Sequence, residues 1–291
     1  KATRDAFGEA LVELGKENPN IVVLDGDLNN STKTDLFAKA FPERFFNVGI
    51  AESNLVGVAG GLASCGKVPF IASFACFIMC NAFDQLRMSV AFPGLNVKVV
   101  GSHGGISIGE DGPSQMSVED VALACALPGF AVLVPADQEA AAALVKAAAV
   151  HQGPVYIRVG RPKVPIVYQN GGAFTIGRAN RLREGKDVAL IANGLMVSAA
   201  LEASHLLQQE GIEALVLDLH TVKPLDEEAV VLAAQTGALV TAEEHVIWGG
   251  LGSAVARAVA SQCPVPMEFV SLDDTYAESG KPEALFEKYD L

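Results

Sequence analysis

Residues 96–115, NVKVVGSHGGISIGEDGPSQ, decide the fold of this chain, because an apolar run leads directly into a polar loop rich in glycine. The run NVKVVGS predicts a strand that is buried on both faces, as in a parallel sheet covered by helices. The following GSHGGISIGEDGPSQ holds five glycines, one proline and several polar side chains. Ligands of parallel α/β sheets bind beside the carboxyl ends of the strands, so we predict a binding site in this loop. A solvated loop of turns is the alternative.

Short apolar runs and helical periods alternate on both sides of this stretch, which is the pattern of an α/β fold. The first helix is indicated by side chains spaced i, i+3, i+4 and i+7 after Thr3, namely Phe7, Ala10, Leu11 and Leu14. Further strands are predicted to begin at Ile21, Val68, Phe130, Pro154, Asp187, Glu213 and Ala238. We predict that Asp137 caps a helix running to Val150 and that Pro282 opens the last helix.

Two domains are expected for a chain of 291 residues. The first covers residues 1–165, and a second, smaller one covers residues 186–291. The run 161–185 holds prolines and glycines with little periodicity, and we interpret residues 166–185 as the linker. The predicted fold class is α/β, with two domains that are each a mainly parallel sheet covered by helices on both faces.

The composition excludes several classes of function. A net charge of -13 and a pI near 4.8 argue against binding to nucleic acid or to an anionic membrane. No window approaches the roughly 20 uncharged apolar residues that span a bilayer. The five cysteines form no CxxC pair, which favours reduced thiols and a cytoplasmic protein. Cys76 and Cys80 could share a helix face as metal ligands, but no histidine or cysteine lies near them, so we predict core thiols and no metal site.

One carboxylate stands out in a segment of small and apolar residues, VGIAESNLVGVAGGLAS, where Glu52 begins a helical pattern. A carboxylate in such surroundings is unfavourable unless it is exposed, paired or able to hold a proton. One interpretation is an acid that exchanges a proton with a bound group. The other is an ordinary glutamate that stabilises a helix N-terminus.

Aromatic and basic residues mark further candidates. Phe74, Phe77 and Cys80 recur at a spacing of three, which is typical of a core stripe and compatible with stacking on a cofactor. Arg158 and Arg161 end a strand pattern, where arginine suits phosphate recognition, although a salt bridge between domains is a serious alternative.

Taken in order, LDGDLNNST, IAESN, SFACF, GSHGGISIGEDGPSQ and IRVGRP resemble the pyrimidine-binding domain of transketolase. The rest of the chain resembles the C-terminal domain of that family, so that the likeness covers essentially all 291 residues. The stretch IGEDGPSQ, together with the upstream His103, is the most specific part. The resemblance implies a thiamine diphosphate-dependent transferase that moves a two-carbon ketol group from a ketose phosphate to an aldose phosphate.

For the cofactor, the resemblance implies that Glu52 is catalytic and hydrogen-bonds the aminopyrimidine of thiamine diphosphate. It also implies that Phe74 and Phe77 pack against the pyrimidine ring and that Gln115 lies beside the cofactor. Cys80 stands where some members place a tyrosine, and Gln115 stands where others have histidine.

For the substrate, the resemblance implies that His103 is catalytic and that His103 and Asp111 hold the hydroxyls of the sugar. Ser31 and Arg161 are implied as ligands of the substrate phosphate. The preferred sugars belong either to the pentose phosphate pathway or to rarer substrates.

A partner is implied by what the sequence lacks. Full-length relatives bind the diphosphate and its metal through a GDG segment followed by an asparagine, and no such motif occurs here; the DGDLNN run from Asp25 lacks the second glycine. We therefore expect an N-terminal transketolase subunit as partner, with Mg or Ca bound by that subunit, in a two-plus-two heterotetramer. The chain is either naturally split or an excised half, and alone it should not retain the cofactor. The alternatives are a β subunit of another thiamine enzyme, resembling 2-oxoacid dehydrogenase or deoxyxylulose-phosphate synthase, and a non-catalytic assembly subunit.

Overall fold

The computed structural model describes residues 1–169 and 171–291, which form two β-sheets covered by helices. The strands are β1 Ile21–Asp25, β2 Phe45–Asn47, β3 Val68–Phe74, β4 Lys98–Ser102, β5 Ala131–Leu133, β6 Val155–Val159, β7 Asn180–Arg183, β8 Val188–Ala192, β9 Ala214–Asp218, β10 Thr221–Lys223, β11 Leu239–Val246 and β12 Met267–Leu272. The first sheet has the order β10-β5-β6-β4-β3-β1-β2, and the second has the order β12-β11-β8-β9-β7. The strands of each sheet run parallel, apart from the antiparallel pairs β10–β5 and β7–β9. The predicted fold class is confirmed.

The helices cover both faces of the first sheet because alternate strand residues point to opposite sides. Val22 and Leu24 belong to one apolar cluster, whereas Ile21 and Val23 belong to the other. The helices are α1 Thr3–Glu17, α2 Asn29–Thr32, α3 Asp35–Ala40, α4 Glu52–Ser64, α5 Phe83–Leu86, α6 Asp120–Ala126, α7 Gln138–Val150, α8 Met196–Gln209, α9 Glu227–Ala234, α10 Leu251–Gln262 and α11 Pro282–Lys288. Two π-helical turns, Phe77–Asn81 and Arg87–Ala91, flank α5.

The predicted helix boundaries are confirmed where the sequence supplied a physical signal. The Asp137 carboxylate accepts a hydrogen bond from the Ala140 amide at 2.8 Å and caps α7. Pro282 is the first residue of α11, where the missing N–H leaves no bond unmade. The predicted apolar stripe of α1, Phe7 to Leu14, is buried.

Two strands bear on the domain boundaries, which themselves stay a prediction. Strand β7 lies inside the stretch interpreted as the linker. It pairs with β9 and forms an antiparallel edge strand of the second sheet. Strand β10 comes from the predicted second domain but pairs with β5 of the first sheet. The two parts of the chain are therefore joined by the pairing of β10 with β5 as well as by the covalent connection.

One of the two thiols predicted to lie in the core does not lie there. Cys76 is buried, but Cys80 is exposed on the π-helical turn, where its Sγ lies 3.8 Å from the Glu119 carboxylate. The helix pattern identified a common stripe but not the π-helical turn, whose extra residue rotates Cys80 outward. In the described ranges, no group of three or more His, Cys, Asp or Glu side chains could hold a metal ion. No helix of those ranges has the length and apolar character needed to cross a membrane.

Candidate active site

Five of the predicted site residues lie at one edge of the first sheet because they follow the carboxyl ends of five neighbouring parallel strands. Glu52 follows β2, Ser31 follows β1, Phe74 ends β3, His103 follows β4 and Arg161 follows β6. This edge is where open parallel sheets bind their ligands.

The Glu52 carboxylate is buried at the first turn of α4 and is oriented by a neighbouring strand. Its side chain is 5% exposed, and Oε1 accepts a hydrogen bond of 2.8 Å from the Ser73 hydroxyl on β3. A Cβ atom on Gly26 would lie 3.4 Å from the same Oε1, so the turn after β1 closes over the carboxylate. Ser73 therefore fixes one carboxylate oxygen and leaves the other for a bound group.

Two aromatic rings and an imidazole form a stack beside this carboxylate. Phe74 stacks on Phe77 with centroids 5.5 Å apart and on the His103 ring with centroids 3.9 Å apart. Phe74 is buried, Phe77 is half-buried, and Ser73, which binds Glu52, directly precedes Phe74. A flat heterocycle such as the pyrimidine of thiamine diphosphate packs favourably on aromatic rings of this kind.

His103 is held in an unusual backbone conformation with both ring nitrogens engaged. Its φ is 61°, in the left-handed region that a residue with a side chain seldom adopts. Nε2 lies 3.0 Å from an Arg4 nitrogen, and Nδ1 lies 2.8 Å from the Ser102 hydroxyl. Since arginine only donates, Nε2 must accept, and the proton of the neutral ring is on Nδ1.

The charge state of His103 follows from its surroundings. Burial, together with the nearby positive charges of Arg4, Arg161 and Lys33, lowers its pKa to about 3. The imidazole is therefore neutral at physiological pH. It can form hydrogen bonds with a sugar without adding to the positive charge around it.

The same three cations lie near His103, and one of them also contacts Ser31. Arg4 also donates to the Ser31 carbonyl at 3.0 Å, while its buried Nε has no hydrogen-bond partner among the described residues. Burial, and to a smaller extent the like charge of Arg161, lowers the pKa of Arg4. A phosphate would satisfy the free donor and offset the repulsion between the arginines.

The remaining predicted residues lie along the glycine-rich loop. Arg161 donates to the Ile108 carbonyl at 2.6 Å and to the Asp111 carboxylate at 3.2 Å, and both charged side chains are exposed. Gln115 is half-buried, and its carbonyl accepts a hydrogen bond from the Cys76 thiol. The structure therefore brings Asp111 to Arg161 and Gln115 to the end of β3.

Arg4 and Ser73 were missed by the sequence analysis. Arg4 belongs to α1, whose apolar stripe explained the segment as a covering helix, and its contacts lie 27 and 99 residues away. Ser73 was hidden in a strand pattern. The apolar segment around Glu52 was an available signal, since a carboxylate that is buried in such a segment requires a hydrogen-bond donor near it.

Arg158 belongs to a different site from Arg161. It is buried inside β6, and its Nε lies 3.1 Å from the Asp120 carboxylate. Its other nitrogens donate to the carbonyls of Ser117 and Glu244, on opposite sides of the boundary between the two sheets. The interpretation of Arg158 as a phosphate ligand is wrong, because its guanidinium is buried and its nitrogens already contact protein groups, whereas Arg161 lies beyond the end of β6.

Comparison with known families agrees with this geometry. Residues 1–167 match the model of the transketolase pyrimidine-binding domain, and residues 177–291 match that of the transketolase C-terminal domain. Together the two matches define the C-terminal portion of a thiamine diphosphate-dependent enzyme. The chain belongs to the transketolase family and corresponds to its C-terminal subunit.

Similar proteins include split and single-chain forms. The chain is 45% identical over 290 residues to a 6-deoxy-6-sulfo-D-fructose transketolase subunit of Clostridium sp., covering 99% of this chain and 90% of that protein. It is 40% identical to human transketolase over 295 residues, covering 100% of this chain but 47% of the human protein. A solved structure of a split-gene transketolase, described as an inactive β4 tetramer, superposes with a TM-score of 0.93 at 52% identity, covering 99% of this chain and 93% of that one.

Proposed function

We propose that the chain is the catalytic C-terminal subunit of a transketolase that moves a two-carbon ketol group from a ketose phosphate to an aldose phosphate. The observation that carries this proposal is the arrangement along one sheet edge. A buried carboxylate and an aromatic pair lie at one end, and three cations lie at the other, with the His103 ring between them. Thiamine diphosphate, when bound, supplies the nucleophilic carbon and the electron sink for cleaving the carbon–carbon bond.

Glu52 exchanges a proton with the pyrimidine ring in this proposal. The Ser73 hydroxyl holds Oε1 at 2.8 Å, so the carboxyl group keeps one orientation while the other oxygen faces the ring. Phe74 and Phe77 support the ring by stacking and exclude water from its face. Gln115 borders the same pocket.

His103 and Asp111 position the sugar. The neutral His103 ring offers Nε2 to a sugar hydroxyl, which would compete with Arg4 for that lone pair. Asp111 accepts hydrogen bonds from hydroxyl groups, and its ion pair with Arg161 orients it. These contacts select among sugars, and the shared positive field selects phosphorylated ones.

The substrate phosphate binds to Arg4, Arg161 and Ser31. Arg4 supplies the unpartnered Nε donor, and Arg161 is exposed enough to move from Asp111 to an incoming phosphate. Lys33 adds charge at longer range, since it is one of the cations that lower the pKa of His103. Arginine suits this role because its planar fork matches two phosphate oxygens.

The diphosphate and its Mg or Ca ion are bound by an N-terminal partner subunit, and two copies of each chain form the active assembly. The partner contacts this chain beside the cofactor. Ile50, two residues before Glu52, is a large apolar side chain that is 84% accessible. Exposed apolar side chains near a site favour an interface.

Reconstitution tests the proposal. The chain is mixed with an N-terminal transketolase subunit, thiamine diphosphate and Mg²⁺, and ketol transfer between a ketose phosphate and an aldose phosphate is measured. We expect transfer by the wild type and a loss of at least about a hundredfold in Glu52→Ala. Near wild-type activity in Glu52→Ala would instead indicate a non-catalytic assembly subunit. Activity on 2-oxoacids alone would indicate a 2-oxoacid dehydrogenase β subunit.

A further inference from the structure

Four consecutive residues at the end of β11, 243–246, lie beneath the glycine-rich loop of the active site. Three of them bind the first half of the chain: a Glu244 carboxylate oxygen accepts from the Ser107 amide, His245 Nε2 accepts from the Ala122 amide, and the Val246 amide donates to the Val118 carbonyl. Glu243 instead accepts from two amides at the start of α10. The second sheet therefore supports the loop with its backbone and side chains.

The loop lies so close to this support that side chains are excluded from it. A Cβ atom on Gly105, whose φ is 83°, would lie 2.1 Å from the Glu244 carboxyl carbon, and one on Gly104 would lie 2.2 Å from Arg158 Nε. Both glycines directly follow His103. The turn that carries the His103 ring rests in contact with the buried Arg158 and Glu244.

The two ends of the loop are joined to each other at the Ser117 carbonyl, which also binds Arg158. Arg158 donates to the Ser117 carbonyl at 2.7 Å and to the Glu244 carbonyl at 2.8 Å, and the Gly105 amide donates to the Ser117 carbonyl at 2.7 Å. The first half of the loop is thus held by Glu244 and the second half by Arg158. Asp120 balances the arginine charge from the other side.

We propose that Glu244 is a positioning residue for ketol transfer, which holds the loop of residues 103–117 in the conformation that presents His103 and Asp111 to the substrate. This inference rests on the proposed function. Glu244 acts through the Ser107 amide and not on the substrate itself, since it is buried beneath the loop with 6% of its surface exposed. Because Glu244 belongs to β11, the second sheet takes part in shaping the active site.

Amide hydrogen exchange tests directly whether Glu244 holds the loop, and it requires no measurement of enzyme activity. In the wild type, the Ser107 amide should be protected as strongly as amides of β11. Glu244→Met fills the same space but removes the acceptor, so exchange at residues 104–108 should become about tenfold to a hundredfold faster. Glu244→Gln keeps an acceptor oxygen and should restore protection. Glu243→Met is the matched control and should speed exchange only at the start of α10.

Unprotected Ser107 in the wild type would overturn the proposal without any variant, even if Glu244→Met failed to fold. Equal loop exchange in Glu244→Met and Glu243→Met would also overturn it. In the reconstituted complex, kcat/KM should fall about tenfold in Glu244→Met and recover in Glu244→Gln, with little change in Glu243→Met; equal values in all three variants would contradict the role. If the wild-type complex performs no ketol transfer, the proposed function fails, while the exchange experiment still decides whether Glu244 holds the loop.

Discussion

Replacing Arg4 by methionine should weaken binding of a ketose phosphate far more than binding of the same ketose without its phosphate. Arg4 Nε is a buried donor with no partner among the described residues, and its terminal nitrogen already contacts Ser31 and His103. Methionine fills similar space but carries no charge. The substitution therefore removes one charged hydrogen-bond donor from the phosphate and leaves the cofactor pocket in place.

The magnitude follows from the free energy of such a bond. A hydrogen bond to a charged group contributes about 1.5–3 kcal/mol, which corresponds to a rise in KM of roughly tenfold to 150-fold. Steady-state kinetics of the reconstituted complex with both sugars measure it, and the unphosphorylated ketose should change less than about threefold. Equal losses for both sugars would refute the assignment of Arg4 to the phosphate.

The same variant should change the titration of His103. Burial and Arg4 are the two largest causes that lower its pKa to about 3. Without Arg4 the pKa should rise but stay below 6.5, because burial remains. Nitrogen NMR of labelled histidine measures the midpoint, and an unchanged midpoint would contradict the contact between Arg4 and Nε2.

Three further predictions concern other residues. Arg161→Ala should raise KM for the ketose phosphate about tenfold in steady-state kinetics, with little change in thermal midpoint, because its ion pair with Asp111 is exposed. Asp137→Ala should lower the free energy of unfolding in urea by about 3 kcal/mol, because its carboxylate accepts from three amides; a change below about 1 kcal/mol would contradict this. Burial raises the pKa of Asp218 from 3.8 to about 7, so the folded state holds a proton that the unfolded state releases between these values. The stability of the wild type relative to Asp218→Asn should therefore fall as pH rises from about 4 to 7. Thermal midpoints of the two proteins measure this, and a difference between the midpoints that stays constant over this pH range would contradict the prediction.

The sequence predicted those parts of the fold that depend on local patterns. The apolar runs from Ile21 and Val68 became strands, and Asp137 capped its helix, because burial periodicity and capping act within a few residues. The sequence could not show that β10 belongs to the first sheet. Its three residues pair with β5 about 90 residues away, and no local property distinguishes the two possible sheets.

The candidate site shows the same division between local and distant information. Glu52 and His103 were found because a carboxylate in an apolar segment and a histidine in a glycine-rich loop are conspicuous, and the family resemblance gave them roles. Arg4 and Glu244 were not found, since each acts on a loop that is distant in sequence. Arg158 and Arg161 looked equivalent in the sequence, but Arg158 forms a buried ion pair within β6 and Arg161 forms an exposed one beyond the end of that strand.

Proton exchange at C2 of the bound thiazolium ring tests most directly whether Glu52 passes a proton to the cofactor. The complex with the N-terminal partner and thiamine diphosphate is placed in D₂O, and NMR follows the loss of the C2 proton in the wild type and in Glu52→Ala. With cofactor bound equally in both, exchange should be about 10²- to 10⁴-fold slower in the variant. Equal exchange rates would contradict the account.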